Sequence, residues 1–249
     1  MPDHDDVTED RMLGGKILLQ QARKGYRAGA DAALLAAAVG GAAGERLLEA
    51  GCGPGAALLQ AALRAPEASF VGLEREAAAL ALAQANIAAA GLGERVGALQ
   101  GDVGAGFARL GQPAFDGAFS NPPFFDDRSA IRGPAPERDA AYMADDGLAA
   151  WTRFLLKAVR PGGRIVVIHR ADRLADLLAL LGGGAGSFRI RPIQPFADAP
   201  AKRVLIRGLK TGKAPLVLLP ALVLHERDGA KHTPAAEAIL RGDAPLGWD

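Results

Sequence analysis

The chain has a single cysteine, Cys52. That excludes a disulfide framework and a multi-cysteine zinc site within one chain. Aromatic residues are scarce, at 5%, while Ala, Gly and Arg abound, so Ala-rich stretches count for less as helix signals than usual. No uninterrupted apolar run reaches the roughly 20 residues of a membrane span, so no membrane partner is expected. An excess of either charge is lacking too. The net charge is +1, so a nucleic-acid partner would have to be held by a local patch. The first ten residues carry five acids and are neither Arg-rich nor apolar, unlike a signal or transit peptide, and a cytoplasmic protein is expected. His169, His225 and His232 lack metal-ligand spacing with one another, so they are read as structural and no metal is expected. What is present is 249 residues, 49% of them hydrophobic and 23% charged, enough for the core of one large domain. Oligomeric state is not legible.

Residues 1–10 show no packing pattern and are expected to form a disordered acidic tail, with 11–249 as a single domain. The run Asp31 to Val39 predicts a helix with Asp31 as its N-cap and Gly40 and Gly41 as its stop. Arg46 to Ala50 predicts a strand, and Ala56 to Arg64 a helix ended by Pro66. The alternation repeats: strand Ser69 to Leu73 ending at Glu74, helix Glu76 to Ala90, strand Arg95 to Gln100, strand Phe115 to Ser120. A Pro- and charge-rich loop is expected from Phe125 to about Met143, then a helix from Asp145 to Val159, a Pro161-Gly162-Gly163 turn and strand Arg164 to His169. Strands separated by helices argue an α/β fold with a parallel sheet covered on both faces. After Gly182 to Gly184 the texture changes, and Phe188 to Ile193 with Arg203 to Leu209 predicts an antiparallel pair. Leu216 to Leu224 and an Asp228-Gly229 turn close a C-terminal β extension of the same domain.

Two places carry chemistry. In the first, Glu49-Ala50-Gly51-Cys52-Gly53-Pro54-Gly55 puts three glycines where a strand hands over to a helix. Glycine permits the tight turn and lets backbone approach a ligand. Glu49 sits inside the strand, where a charge is costly without a partner. Glu74, at the tip of the second strand, is placed to accept from both hydroxyls of a ribose, and Asp102, after the third, from an exocyclic adenine amine. All lie at strand C-terminal ends, the rim where open α/β sheets bind ligands. Cys52 belongs to the same turn, as packing rather than nucleophile.

The second place is Asn121-Pro122-Pro123-Phe124 at the end of the fourth strand. An amine conjugated to a ring, or an amide nitrogen, is a poor nucleophile because its lone pair is delocalised. Two acceptors aimed at its hydrogens favour the form whose lone pair points at a methyl donor. The Asn121 side-chain oxygen and the Pro122 carbonyl can supply both, with the prolines holding that carbonyl rigid. Phe124 offers a flat face for stacking, worth about 1–3 kcal/mol for a base.

Glu49–Gly55, Glu74, Asp102 and Asn121–Phe124 together resemble the amino-group methyltransferases with an (N/D)PP(Y/F) motif. Within them the chain is similar to the bacterial tRNA adenine-N6 methyltransferases of the valine-tRNA type. Gly25-Tyr26-Arg27, Asp31-Ala32 and Leu34-Leu35 match that family's segment over the methionine end of the cofactor, and LVLHERDG…TP its closing hairpin. The resemblance implies a Rossmann-like class I fold, with a seven-stranded mostly parallel sheet and an antiparallel final strand. It implies S-adenosyl-L-methionine as cofactor, contacted by Tyr26, Asp31, Glu49, Gly51, Cys52, Gly53, Gly55, Glu74, Asp102 and Asn121. It implies catalysis by Asn121, Pro122, Pro123 and Phe124 on a flipped-out adenine of an RNA, a tRNA near its anticodon. Two departures, Ala-Gly after Arg27 and the acidic tail, leave the identity of the RNA open.

Between Ser187 and Lys213 seven Lys/Arg (Arg189, Arg191, Lys202, Arg203, Arg207, Lys210, Lys213) face one acid, Asp198. The segment is either a phosphate-binding patch or a charged edge that resists aggregation. Arg128, Arg132 and Arg138 follow the tetrapeptide and could hold substrate. The nearest rival substrate is a glutamine side chain of a translation release factor. Enzymes of that kind usually show tyrosine at the Phe124 position and a helical domain ahead of the sheet, for which about 45 residues are too few. A nicotinamide oxidoreductase leaves the tetrapeptide unexplained, and a non-catalytic RNA-binding module would be expected to have lost the glycines or the asparagine.

Overall fold

The computed structural model describes residues 7–24, 27–124 and 137–249, without the side chains of 137–146. Its centre is a nine-stranded sheet. Strands β3 (Arg46–Ala50), β4 (Ser69–Glu74) and β5 (Val96–Gln100) run outward to one edge. On the other side of β3 come β6 (Phe115–Ser120), β7 (Val159–Arg170), β9 (Arg203–Lys210) and β8 (Ala185–Gln194). β3 to β7 are mutually parallel, and β9 is antiparallel to both β7 and β8. These seven strands are the expected mostly parallel sheet with an antiparallel last strand. Two-residue strands β10 (Val217–Leu218) and β11 (Leu222–Val223) add to the β8 edge, parallel to it.

Helices α1 (Ala30–Val39), α2 (Ala56–Arg64) and α3 (Ala77–Ala89) cover one face, and α4 (Glu137–Ala158) and α5 (Leu174–Gly182) the other. Strand alternation separates the two cores: Leu47 and Phe119 face the first, Leu48 and Ala118 the second. In α1 every residue from Ala32 to Val39 is buried, which the apolar run DAALLAAAV suits. A short helix α6 (Pro234–Arg241) and the segment beyond it pack on α1, where Leu246 N donates to the Ala37 carbonyl at 3.1 Å and Trp248 Nε1 to the Ala38 carbonyl at 2.7 Å.

Five expectations need correction. Residues 7–10 are not tail: they belong to strand β1 (Val7–Met12), which pairs antiparallel with β2 (Ile17–Ala22), and residues 1–6 lie outside the described residues. Ladder bonds and a Gln21 Nε2–Asp10 Oδ2 bond of 2.7 Å satisfy this polar hairpin. The N-cap of α1 is Gly29, and Asp31 lies inside the first turn, where its carboxylate is committed to Arg203. α4 starts at Glu137, so 137–143 are helix rather than loop, and 125–136 lie outside the described residues. Pro161-Gly162-Gly163 is an irregularity inside β7, between the Val159–Phe115 and Arg164–Gly117 pairs. A Cβ on Gly163 would meet the Asp116 carbonyl at 2.5 Å, so only glycine fits there. Finally, the chain closes not with a hairpin about Asp228-Gly229 but with the parallel pairings of β10 and β11 and then α6. Thr233 caps α6 by accepting from Ala236 N, and Gly242 ends it at φ 83°.

Candidate active site

The glycine bend is built as its composition suggests. Gly51, Gly53 and Gly55 have φ of 71°, 55° and 90°, a region that side chains with a Cβ avoid. Gly51 N and Cys52 N both donate to the Leu73 carbonyl, at 2.8 and 2.9 Å, which ties the bend to the tip of β4. A Cβ at Gly51 would lie 2.3 Å from Cη2 of Trp151, so the α4 indole rests on the bend. A Cβ at Gly53 would meet nothing within 4 Å: this is the open side.

Glu49 is 3% exposed, and its Oε2 has no hydrogen-bond partner. Burial drives its pKa well above 4.5; the Leu58 backbone N–H opposes that and the Glu74 charge adds to it. Glu74 accepts from Gly53 N with one oxygen and from Arg75 N and Glu76 N with the other, each at 2.8 Å. Asp102 is exposed, and its Oδ1 accepts from Gly104 N at 2.8 Å. Cys52 is buried, and burial, then Glu49 and Glu74, push its thiol pKa upward. It stays a packed thiol.

The tetrapeptide reaches the same rim. Glu49 pairs with Phe119 across β3 and β6, and Gly51 and Asn121 each lie two residues further on. Buried Ser120 locks the two tips together by donating to the Ala50 carbonyl at 2.8 Å. Pro122 is buried, Pro123 exposed, and Asn121 and Phe124 half-buried. The Phe124 ring meets His169 of β7 edge-on, with centroids 5.2 Å apart and planes at 90°. The Arg203 guanidinium lies over it, 4.8 Å from the centroid, and donates from Nε to Asp31 Oδ2 at 2.8 Å. His169 is 3% exposed and neither ring nitrogen has a hydrogen-bond partner. Burial, then Arg173, Arg170 and Arg203, lower its pKa to about 4, so the ring is neutral at pH 7.

Residues 42–181 match the family model described as "Methyltransferase domain". The chain belongs to the methyltransferase family. This methyltransferase is 32% identical over 160 residues to the tRNA1(Val) (adenine(37)-N6)-methyltransferase of Porphyromonas gingivalis, covering 61% of each chain. It is 36% identical over 148 residues to the release factor glutamine methyltransferase of Bordetella pertussis, covering 57% of this chain and 53% of that one. It thus spans less than two thirds of either relative. The solved structure of a "predicted O-methyltransferase" from Agrobacterium tumefaciens superposes with a TM-score of 0.73 at 24% identity, covering 87% of this chain and 98% of that one. That likeness is one of fold.

In the methyltransferase the structure brings Glu49, the three glycines, Glu74 and Asn121–Phe124 to one rim, with Asp102 at its far side beyond β5. Tyr26 lies outside the described residues, as do Arg128, Arg132 and the Arg138 side chain. Most of the basic segment has structural partners: Arg189 and Arg191 donate to the Trp248 and Gly247 carbonyls, Arg207 stacks on Trp248, and Lys210 reaches the Val159 carbonyl. Sequence reasoning missed Trp151 and His169 as neighbours of the site, and it read Arg203 as part of a phosphate-binding patch or a charged edge rather than as a partner of Phe124. The signal that was available is position: His169 and Arg203 sit at the ends of strands that reach the rim. A hollow of about 560 Å³ further along, lined by Phe196, Asp198, His225 and Arg227, is no rival centre, because its polar groups are engaged: Arg227 lies over the Phe196 ring and is paired with Asp198, and the His225 ring packs against His232. Among the described residues no His/Cys/Asp/Glu cluster suits a metal, and no helix is long and apolar enough to cross a membrane.

Proposed function

We propose that this methyltransferase transfers a methyl group from S-adenosyl-L-methionine to N6 of an adenine in RNA, with a tRNA near its anticodon as substrate. One observation carries the reading: the Asn-Pro-Pro-Phe tip is pinned by Ser120 beside a glycine bend whose buried Glu49 has an unpaired oxygen. An unpaired buried carboxylate oxygen suits the ammonium of an amino-acid moiety, and the space open at Gly53 suits the rest of the donor. When bound, that donor supplies a methyl group on a positively charged sulfur.

The chain's own residues then have these roles. Glu49 holds the ammonium, Gly51, Cys52, Gly53 and Gly55 form the cradle, Glu74 accepts from ribose hydroxyls, and Asp102 accepts from the adenine amine of the donor. Remaining lone pairs on Glu74 allow this although its oxygens already accept backbone N–H groups. Asn121 Oδ1 and the Pro122 carbonyl accept from the two hydrogens of the target amine, Pro123 stiffens the turn, and Phe124 stacks on the target ring. Residues 11–249, together with the strand residues 7–10 that pair onto them, act as one domain, in the cytoplasm where tRNA is found.

The likeness to glutamine methyltransferases keeps a second acceptor in play, a protein amide, which the same two acceptors could hold. Tritiated methyl transfer to bulk RNA and to bulk protein separates the two. RNA is expected to be labelled, with the rate falling at least about 100-fold in Asn121→Ala, as when a preorganised polar group is removed from other active sites. Labelling of protein alone overturns the adenine assignment.

A further inference from the structure

We propose that Asp31 and Arg203 are positioning residues for the methyl acceptor rather than for the donor: Asp31 holds the Arg203 guanidinium over one face of Phe124, so that the opposite face is the one offered to the acceptor. The inference rests on the reading of Phe124 as the stacking residue. A phenylalanine at the end of a proline turn has two free torsions, and nothing in the tetrapeptide's backbone sets its ring plane. Three elements outside it do. β7 brings His169 edge-on to the ring, β9 lays Arg203 over it, and α1 supplies the carboxylate that Arg203 Nε grips.

The sheet makes this convergence possible. Arg203 opens β9 opposite Arg170, so it stands at the C-terminal end of β7, on the active rim. Asp31, 172 positions away, points from the first turn of α1 to meet it. Their side chains are 30% and 23% exposed, which shields the pair in part from the solvent that weakens surface ion pairs. His169 contributes no charge at neutral pH and so does not repel the guanidinium. A planar guanidinium suits a ring face in a way that an ammonium does not. With that face covered and the edge fixed, a ring that must be stacked can approach only from the remaining side.

Steady-state kinetics on the full-length protein test this, with donor and acceptor each varied and the acceptor being whichever class the wild type labels. Asp31→Asn and Arg203→Ala are expected to raise the acceptor KM about 10-fold, a typical share of one stacking contact, while the donor KM moves less than about twofold. Arg203→Lys, which keeps the charge and loses the plane, raises the acceptor KM too. The exchange Asp31→Arg with Arg203→Asp restores the thermal midpoint but not the acceptor KM, because the guanidinium now hangs from α1. In a Phe124→Ala background the Arg203→Ala effect disappears. A raised donor KM with an unchanged acceptor KM, rescue of acceptor KM by the exchanged pair, or undiminished additivity with Phe124→Ala overturns the proposal. Should the wild type label protein instead of RNA, the adenine reading falls while the same KM ratio still decides the role of Asp31.

Discussion

Glu49 sits in a sheet interior with one carboxylate oxygen unpaired, and the cost of that arrangement depends on pH. Burial first, then the nearby Glu74 charge, raise its folded pKa well above the 4.5 of an ordinary glutamate. The folded chain therefore holds a proton that the unfolded chain has already released. The sign follows: the stability this group contributes is complete below about pH 4.5 and is lost as pH rises toward the folded pKa. Ligand-free Glu49→Gln is spared that loss. Calorimetry should show its thermal midpoint equal to or above that of wild type at about pH 8, with the gap closing near pH 5. A midpoint below wild type at the higher pH would mean that the carboxylate is ionised and paired without ligand. The same variant should weaken donor affinity at least about 10-fold, since a charge-assisted hydrogen bond is lost. Glu49 was legible in the sequence because an acid inside an apolar strand is conspicuous. The Arg203–Phe124–Asp31 contact was not, because it joins three distant segments and leaves no local pattern.

At the scale of elements, the β1–β2 hairpin depends on one side chain of α3. Asn86 is 1% exposed and fully bonded: its Oδ1 accepts from Gln20 N at 2.9 Å, and its Nδ2 donates to the carbonyls of Gln20 at 2.8 Å and Pro54 at 2.9 Å. It thereby clips the hairpin to the glycine bend. Asn86→Ala leaves those backbone groups without protein partners, at about 1–3 kcal/mol for each that stays dry. Hydrogen exchange should show protection lost across 17–22 while β3 and β4 keep theirs, and a uniform loss would refute the clip. The hairpin escaped the sequence reading for a physical reason. In β2, ILLQQA, the buried alternate positions are Ile17, Leu19 and Gln21, whereas Leu18 is half exposed, so the hydrophobic and structural periods disagree. By contrast α2 and β6 lie where expected, because glycine and proline punctuate them. α6 carried its signals too, Thr-Pro at the start and Gly242 at the end, but they were subsumed under the hairpin that the resemblance implied.

Across the whole molecule, the segment after α6 acts as a strap on the α1 face of the sheet, bonded to the end of α1 away from the active rim. Trp248 is 8% exposed, bonds the end of α1 and carries Arg207 on its ring. Trp248→Ala should cost about 3–5 kcal/mol, a fall of about 10 °C in thermal midpoint for a chain of this size. Calorimetry would read it, and a shift below about 2 °C would show the strap to be ornamental. The parallel sheet itself was readable from strand–helix alternation, and its antiparallel end from the paired runs after Gly184. The two-residue strands at the far edge were not, since two residues have no period.

The sheet order also dictates how the chain must assemble. β8 is made before β9, yet β9 lies between it and β7, so β8 cannot join the growing edge until its successor has arrived. Pairing of β9 with β7 must therefore precede or accompany the joining of β8, an ordering imposed by topology alone. Arg203 arrives with β9, so the guanidinium that covers one face of Phe124 is in place only once that strand has paired with β7.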